Sequence, residues 1–212
     1  MRTVAVLPVK RFGAAKQRLA REDRSEVMRA MAGEVLAALA GADVAGRLVV
    51  TSDPVAVRLA EAVGATVVPE PGLLGHSGAA ALGIEHALAL GADRVLLLAG
   101  DCPLLTAADI DGLLARHAGE GVVVVADRHG TGTNALLLTP PDVMEPSFGP
   151  GSRRRHVEAA EAAGARVEVD EVPSLVLDVD TAADLEALRI ALGGVHGNAA
   201  HTRGMLSRLG RL

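Results

Sequence analysis

Short apolar runs alternate with longer amphipathic segments along most of the chain. The apolar runs predict strands at Val4–Leu7, Leu48–Thr51, Thr66–Val68, Val95–Ala99, Val122–Ala126, Ala135–Leu138, Val167–Val169 and Leu175–Leu177. The amphipathic segments predict helices at Arg24–Ala40, Pro54–Val63, Ala79–Leu90, Ala107–His117, Ser152–Ala163 and Ala182–Ala191. Strands with helices between them are typical of βαβ units in an α/β fold with a mainly parallel sheet.

Two neighbouring runs break this alternation. Val122–Ala126 and Ala135–Leu138 are too close for a helical crossover, so they predict an antiparallel excursion around the turn Gly130–Thr133. Val95–Ala99 is apolar throughout, which is typical of a strand covered by helices on both faces. We expect a single domain over residues 1–192 and, where glycines multiply and periodicity fades, a tail or peripheral helix over residues 193–212.

Composition narrows the class of protein. Of the 212 residues, 50% are hydrophobic, enough for one large buried core. The net charge of −5 and the lack of Trp and Tyr argue against a nucleic-acid partner, because single-stranded sites usually stack bases on aromatic rings. The single cysteine, Cys102, fits a reducing cytosol. The chain shows neither a signal peptide nor a membrane-spanning stretch, so we expect a cytoplasmic protein without a membrane partner.

The lysines are confined to one loop after the first predicted strand. Of the 21 basic residues only Lys10 and Lys16 are lysine, and a coding bias toward arginine does not explain them. Lysine is a compact point charge on a flexible stem, which suits a mobile grip on a polyphosphate. The loop lacks the P-loop pattern, so a Walker-type site is excluded. Two solvated surface lysines are the alternative. The predicted triphosphate-binding residues are Lys10, Arg11, Gly13, Lys16 and Arg18.

Acidic residues follow two predicted strands. Asp101 comes directly after one strand, and Thr106 is the better N-cap for the next helix, so capping does not require Asp101. Asp178 and Asp180 are two residues apart and would point the same way at a strand end. Paired carboxylates beside phosphates suit Mg²⁺. The alternative is that Asp180 or Thr181 merely begins the following helix.

Two glycine-containing turns suit an anion. The turn Gly130–Thr133 exposes backbone N–H groups and hydroxyls, although an ordinary hairpin turn has the same composition. The turn Gly149–Gly151 opens a helix with Ser152 as its predicted N-cap. Arg153–Arg155 in the first turn oppose the helix dipole, and a bound anion would remove that conflict. His156 is either a ligand residue or an ordinary polar helix residue.

Five segments in order resemble the guanylyltransferases of deazaflavin coenzyme F-420 biosynthesis, the CofC/FbiD family, which act on 2-phospho-L-lactate or phosphoenolpyruvate. They are Pro8–Leu19, Gly100–Leu104, Asp127–Thr133, Phe148–His156 and Asp178–Thr181. The resemblance covers residues 3–190. The chain departs from the family pattern at Gly78–Leu82, where members often carry a Leu-Asn pair, and at Arg153, where they commonly have an apolar residue.

This resemblance implies a nucleotidyltransferase fold of the molybdopterin-guanylyltransferase type, Rossmann-like, with the basic loop facing the triphosphate. It implies that Mg²⁺ is held by Asp101, Asp178 and Asp180, and the phosphorylated acid by Thr133, Gly149 and Ser152. The acceptor phosphate would attack the α-phosphorus of the co-substrate GTP and release pyrophosphate. The predicted catalytic residues are Asp101 and, for charge on the pyrophosphate, Lys10 and Lys16.

The acceptor and the reaction class have alternatives. A composition rich in Ala, Gly and Arg indicates GC-rich bacterial coding, and bacterial members of the resembling family are associated with phosphoenolpyruvate. We therefore expect phosphoenolpyruvate rather than 2-phospho-L-lactate. The Asp178–Asp180 pair also resembles the Asp-x-Asp motif of sugar-nucleotide enzymes, so another Mg²⁺-dependent nucleotidyl- or glycosyltransferase is one alternative. A non-catalytic nucleotide-binding module on the same fold is the other.

Overall fold

The structure is a computed structural model that describes residues 1–12, 21–72, 74–194 and 199–208. Within these ranges the strands are β1 Thr3–Pro8, β2 Gly46–Thr51, β3 Thr66–Pro69, β4 Arg94–Leu98, β5 Gly121–Ala126, β6 Thr133–Thr139 and β7 Val167–Asp170. The helices are α1 Arg21–Gly41, α2 Pro54–Ala62, α3 Gly75–Ala89, α4 Ala107–Arg116, α5 Ser152–Ala162, α6 Ala182–Gly194 and α7 Ala200–Arg208. None of the helices in the described ranges is long and apolar enough to cross a lipid bilayer.

The strands form one mixed sheet in the order β3-β2-β1-β4-β6-β5-β7. Strand β6 is antiparallel to its neighbours β4 and β5, and every other described pair is parallel. The predicted α/β class and the predicted antiparallel excursion are therefore confirmed. Because β6 runs against its neighbours, its first residue, Thr133, lies at the edge where β1 and β4 end. Ligands of open α/β sheets bind at this carboxyl edge.

Helices cover both faces of the sheet, as the sequence predicts. In β1, Ala5 and Leu7 belong to one core cluster with residues of α1, α2 and α4, whereas Val4 and Val6 belong to another with α3 and α5. Successive strand residues point to opposite faces, which explains the division. Gly83 allows α3 to approach closely, because a Cβ at that position would lie 2.2 Å from Cγ1 of Val6.

A third cluster lies beyond the sheet, between α1, α6 and α7. Met31 of α1, Leu188 of α6 and Leu206 of α7 are buried in it. The Glu34 carboxylate on α1 accepts hydrogen bonds from the first N–H groups of α7, those of His201 at 2.6 Å and Thr202 at 3.1 Å. Residues 200–208 thus form a helix packed on α1. The predicted domain boundary after residue 192 stays a prediction.

One predicted strand is wrong. Residues 175–177 form a turn and a bend instead of pairing with the sheet. The Leu175 N–H donates to the Val172 carbonyl at 2.8 Å, and its carbonyl accepts from Nδ2 of Asn134 at 2.7 Å. Leu175 is buried in the core next to the sheet, so its apolar character reflects burial and not strand pairing. The predicted helix starting at Ala79 begins one turn earlier, at Gly75.

Candidate active site

Seven of the eleven predicted site residues line one cavity of about 330 Å³ at the carboxyl edge of the sheet. Those that line it are Lys10, Asp101, Thr133, Gly149, Ser152, Asp178 and Asp180. Arg11 is exposed, and its Nε donates to Oγ of Ser52 at 3.2 Å. Gly13, Lys16 and Arg18 lie outside the described residues. The structure thus brings at least one predicted residue from each of the five segments to the same cavity.

The start of the basic loop is anchored to the end of β2. The Val9 N–H donates to the Val50 carbonyl at 2.9 Å, and the Phe12 N–H donates to Oδ2 of Asp53 at 2.9 Å. The other carboxylate oxygen of Asp53 caps α2 by accepting from the Val55 N–H at 2.7 Å. These bonds hold the backbone on both sides of Lys10, whose side chain lines the cavity. The sequence analysis did not single out Asp53, although an aspartate before a helix-opening proline is a cap signal.

Backbone and side-chain bonds bring the acidic segments together. The Val179 N–H donates to the Asp101 carbonyl at 3.2 Å, so the two segments are adjacent. Nδ2 of Asn134 donates to Oδ1 of Asp178 at 3.3 Å and orients that carboxylate. Burial, with the nearby Asp101 and Asp178 carboxylates, raises the pKa of the Cys102 thiol well above its ordinary value. Cys102 therefore stays protonated beside the site and is no nucleophile.

Thr181 and Asp184 begin α6. The Asp184 N–H donates to Oγ1 of Thr181 at 3.2 Å, and Oδ2 of Asp184 accepts from the Thr181 N–H at 2.6 Å. This reciprocal pair is a capping box, so α6 does not need the Asp180 carboxylate as its cap. The other oxygen of Asp184 pairs with the Arg128 guanidinium from the β5–β6 turn. Both ends of the Asp178–Asp180 segment are thus tied to the surrounding structure.

The carboxylates fit one kind of Mg²⁺ site. Among the described residues no group of three or more His, Cys, Asp or Glu side chains is close enough together to hold a metal by itself. Mg²⁺ in nucleotide sites commonly binds one or two carboxylates and takes its other ligands from water and substrate phosphates. Asp101 and Asp178 are hard oxygen donors on the same cavity wall, beside the Cys102 thiol. The three-carboxylate Mg²⁺ site stays a prediction.

The opposite wall is built by the turn before α5. The predicted N-cap, Ser152, is wrong: Gly151 occupies that position in the left-handed conformation, φ 72°, and Ser152 is the first helical residue. The Ser152 side chain is buried, and its Oγ donates to Oγ1 of Thr133 at 3.1 Å instead of accepting from a backbone N–H of the helix. Gly149 also has a positive φ, 110°, which disfavours other residues there. This wall therefore presents two hydroxyls and a helix N-terminus.

The arginines of the first α5 turn have partners within the chain. A guanidinium nitrogen of Arg153 donates to the Gly130 carbonyl at 3.0 Å, and one of Arg155 donates to the Ser147 carbonyl at 2.9 Å. Arg154 is exposed and lies 3.7 Å from Glu158. Backbone carbonyls satisfy guanidinium donors of Arg153 and Arg155, and a carboxylate lies near Arg154, so none of the three arginines needs a bound anion as its partner. Arg153 and Arg155 instead hold the two turns of this wall.

His156 is neither a cavity-lining residue nor an ordinary surface histidine. It is fully buried behind the wall, with Nδ1 3.0 Å from Oγ1 of Thr133. Its Nε2 accepts a hydrogen bond from the Ser147 N–H at 2.9 Å. Burial, reinforced by the Arg155 guanidinium, lowers the pKa of His156 to about 4. The imidazole is therefore neutral at physiological pH.

Eight further lining residues were not predicted as site residues, among them His76, Asp127, Asn134 and Phe148. The rings of His76 and Phe148 pack edge to face with centroids 4.6 Å apart. The sequence offered a clue to Phe148, which is one of only two phenylalanines. It offered none to His76, which precedes the predicted start of its helix. A second cavity of about 280 Å³ adjoins the first, shares Lys10, His76 and Asp101 with it, and has apolar walls that include Phe12 and Met31.

Comparison with known proteins decides the family. The family model described as guanylyl transferase CofC-like matches residues 3–211. The chain belongs to the CofC-like guanylyl transferase family. This confirms the resemblance seen in the five segments, and it makes the CofC-like protein an enzyme of guanylyl transfer.

Named relatives and a solved structure agree with this family. Phosphoenolpyruvate guanylyltransferase of Conexibacter woesei is 50% identical and covers 99% of this chain and 97% of its own. The same-named protein of Sphaerobacter thermophilus is 39% identical, covering 89% and 93%. A nucleotidyl transferase from Methanothermobacter has a TM-score of 0.65 at 21% identity, covering 90% and 97%, and shows that the CofC-like chain has the nucleotidyltransferase fold.

Proposed function

We propose that the protein joins the GMP moiety of GTP to the phosphate of phosphoenolpyruvate and releases pyrophosphate, as a step of coenzyme F-420 biosynthesis. The observation that carries the proposal is the meeting of two cavities, of about 330 and 280 Å³, at Lys10, His76 and Asp101. Transfer between two substrates requires one compartment for each and a junction where the reacting atoms meet. The positive charge of Lys10 at that junction suits two anionic substrates.

The larger cavity suits the phosphorylated acid. One of its walls, here called the acceptor wall, carries the Thr133 and Ser152 hydroxyls and the turn at Gly149. This wall stands at the N-terminus of α5, where the helix dipole favours an anion. Phe148 adds an apolar surface next to these polar groups. The polar groups suit the phosphate and carboxylate of the acid, and the apolar surface suits its three-carbon skeleton.

The reaction needs no protein nucleophile. An oxygen of the acceptor phosphate forms the new bond to the α-phosphorus of GTP, and the bond from that phosphorus to the bridging oxygen breaks, so that pyrophosphate leaves. The attacking oxygen is already anionic, and catalysis therefore comes from positioning and charge stabilisation. We assign Lys10, at the junction of the cavities, to the charge that develops on pyrophosphate. The sequence supports the same role for Lys16.

Mg²⁺ is the proposed metal. Asp101, Asp178 and Asp180 are its proposed protein ligands, and substrate phosphates and water would complete its coordination. When bound, it would neutralise the repulsion between the two anionic substrates. Asn134 supports this role because it holds one oxygen of Asp178 and leaves the other to a ligand.

Phosphoenolpyruvate is favoured over 2-phospho-L-lactate by the names of the relatives at 50% and 39% identity. The two acids carry the same charged groups and differ at the carbon that bears the phosphate, which is planar in one and tetrahedral in the other. Phe148 is the aromatic surface on the acceptor wall that can contact that carbon. A pocket binds two substrates that differ so little with free energies only about 1–3 kcal/mol apart, so some activity with both acids is expected.

The test is a pyrophosphate-release screen of four nucleoside triphosphates against both acids, with and without Mg²⁺. We expect release with GTP and phosphoenolpyruvate, dependent on Mg²⁺, and a higher kcat/KM than with 2-phospho-L-lactate. A tenfold preference for 2-phospho-L-lactate would overturn the choice of acid. Tight GTP binding without release from any pair would overturn the reaction and favour a nucleotide-binding module.

A further inference from the structure

A buried histidine lies directly behind the acceptor wall. His156 lies on α5 behind the cavity and is not among the side chains that line its described surface. Its Nε2 accepts a hydrogen bond from the Ser147 N–H at 2.9 Å. A backbone amide can only donate, so Nε2 carries no proton.

The other ring nitrogen therefore carries the proton. The imidazole is neutral because burial and the Arg155 guanidinium hold the pKa of His156 at about 4. A neutral imidazole has one N–H, which here must be on Nδ1. Nδ1 lies 3.0 Å from Oγ1 of Thr133, so the ring donates to that hydroxyl and occupies one of its two lone pairs.

The Thr133–Ser152 pair has one hydroxyl hydrogen left for a ligand. Oγ of Ser152 lies 3.1 Å from Oγ1 of Thr133 and donates to it, so the Thr133 oxygen accepts twice and its own O–H is left over. If the bond between the two hydroxyls is reversed, the O–H of Ser152 is left over. Either way, one hydrogen remains for the cavity that both residues line.

The opposite ring tautomer would have another result. With the proton on Nε2, Nδ1 would accept the Thr133 hydrogen, Thr133 would accept from Ser152, and no hydroxyl hydrogen would remain. The pair would then present only lone pairs to a cavity that Asp101, Asp127 and Asp178 already line. Lone pairs repel phosphate and carboxylate oxygens, whereas a hydroxyl hydrogen binds them.

We infer that His156 is a positioning residue for the anionic acceptor: by donating from Nδ1 it turns the Thr133–Ser152 pair into a hydrogen-bond donor toward the cavity. The naming of that anion as phosphoenolpyruvate rests on the proposed function. The Ser147 N–H holds the tautomer, and His156 itself does not touch the substrate.

Two substitutions separate this role from simple packing. His156→Phe keeps a ring that can pack against Phe148, now 5.0 Å away between centroids, but removes both hydrogen bonds. His156→Asn keeps an N–H that can reach Thr133. We expect His156→Phe to raise the Kd and KM for phosphoenolpyruvate at least tenfold, with the KM for GTP changed less than twofold. His156→Asn should recover most of the loss.

The matched control is His117→Phe. His117 is also largely buried, and its Nε2 lies 2.8 Å from Oδ2 of Asp170 on β7, away from the acceptor cavity. We expect the Kd for phosphoenolpyruvate to stay at the parent value. Equal loss of GTP and acceptor binding in His156→Phe and His156→Asn would mean a purely structural role and would overturn the inference.

A measurement on the parent protein avoids dependence on variants that fold poorly. The ¹⁵N chemical shifts of the His156 ring at pH 7 should show a neutral imidazole protonated on Nδ1. A proton on Nε2, or an imidazolium, would overturn the inference. If the parent releases no pyrophosphate from GTP and phosphoenolpyruvate, the proposed function fails, yet calorimetric binding of phosphoenolpyruvate still decides this inference. Binding weakened in His156→Phe alone supports it, and no binding by the parent overturns it.

Discussion

At the scale of single residues, the carboxylates of the cavity are the most sensitive positions. We expect Asp101→Asn and Asp180→Asn each to lower kcat at least 10²-fold, because each removes a charge from the proposed Mg²⁺ site. Far-ultraviolet circular dichroism should show an unchanged fold. Asp43→Asn is the control, since Asp43 is exposed and away from the cavity. Near-parental turnover by either purified variant would contradict the three-carboxylate prediction.

The lysines of the basic loop test whether charge or shape matters at the triphosphate. Lys10→Ala and Lys16→Ala should each lower kcat/KM for GTP about tenfold or more, as loss of a charged hydrogen bond does. Lys10→Arg and Lys16→Arg should not restore it, because the guanidinium fork is wider than an ammonium and places its charge elsewhere. Arginine variants that turn over GTP like the parent would show that the two lysines are ordinary solvated cations.

At the scale of elements, the contact of α3 with the sheet positions His76 at the cavity junction. Gly83→Ala should destabilise the fold by about 1–3 kcal/mol, because its Cβ would overlap Cγ1 of Val6 and push the helix outward. Gly33→Ala in α1 is the matched control: no atom lies within 4 Å of a Cβ there, so the better helix propensity should stabilise by up to about 1 kcal/mol. Urea denaturation measures both. Equal effects of the two would contradict the close α3 contact.

At the scale of the whole molecule, His156 links stability to pH. Its pKa is about 4 in the fold and 6.5 ordinarily, so between these values the unfolded chain binds a proton that the folded chain does not. Stability from this group is therefore full above pH 6.5, falls as the pH falls, and is lost below about pH 4.

Urea denaturation between pH 7 and pH 4 measures this effect, with His156→Asn as the reference because asparagine does not titrate. The parent should lose about 2 kcal/mol more than the variant over this range. Parallel loss in both proteins would mean that His156 titrates normally and is not held neutral.

Local patterns were sufficient for most of the elements. The apolar runs predicted seven strands that the described structure contains, and the short spacing of β5 and β6 predicted their antiparallel pairing. The strand prediction for residues 175–177 was wrong because buried residues are apolar whether or not they pair in a sheet. Leu175 is buried in a turn, where its carbonyl accepts from the Asn134 side chain. The predicted N-cap Ser152 was wrong because a hydroxyl at the start of a helix can bond to another segment, here to Thr133.

By itself the sequence determined the α/β class and indicated the edge of the sheet and the residues for the candidate site, because strand ends and charged motifs are local features. The tertiary structure alone decided which partners those residues have. Asn134 on Asp178, His156 behind Thr133, and Asp184 with Arg128 are contacts between segments far apart in the chain. No periodicity encodes such contacts, since they depend on how the crossovers bring loops to a common edge.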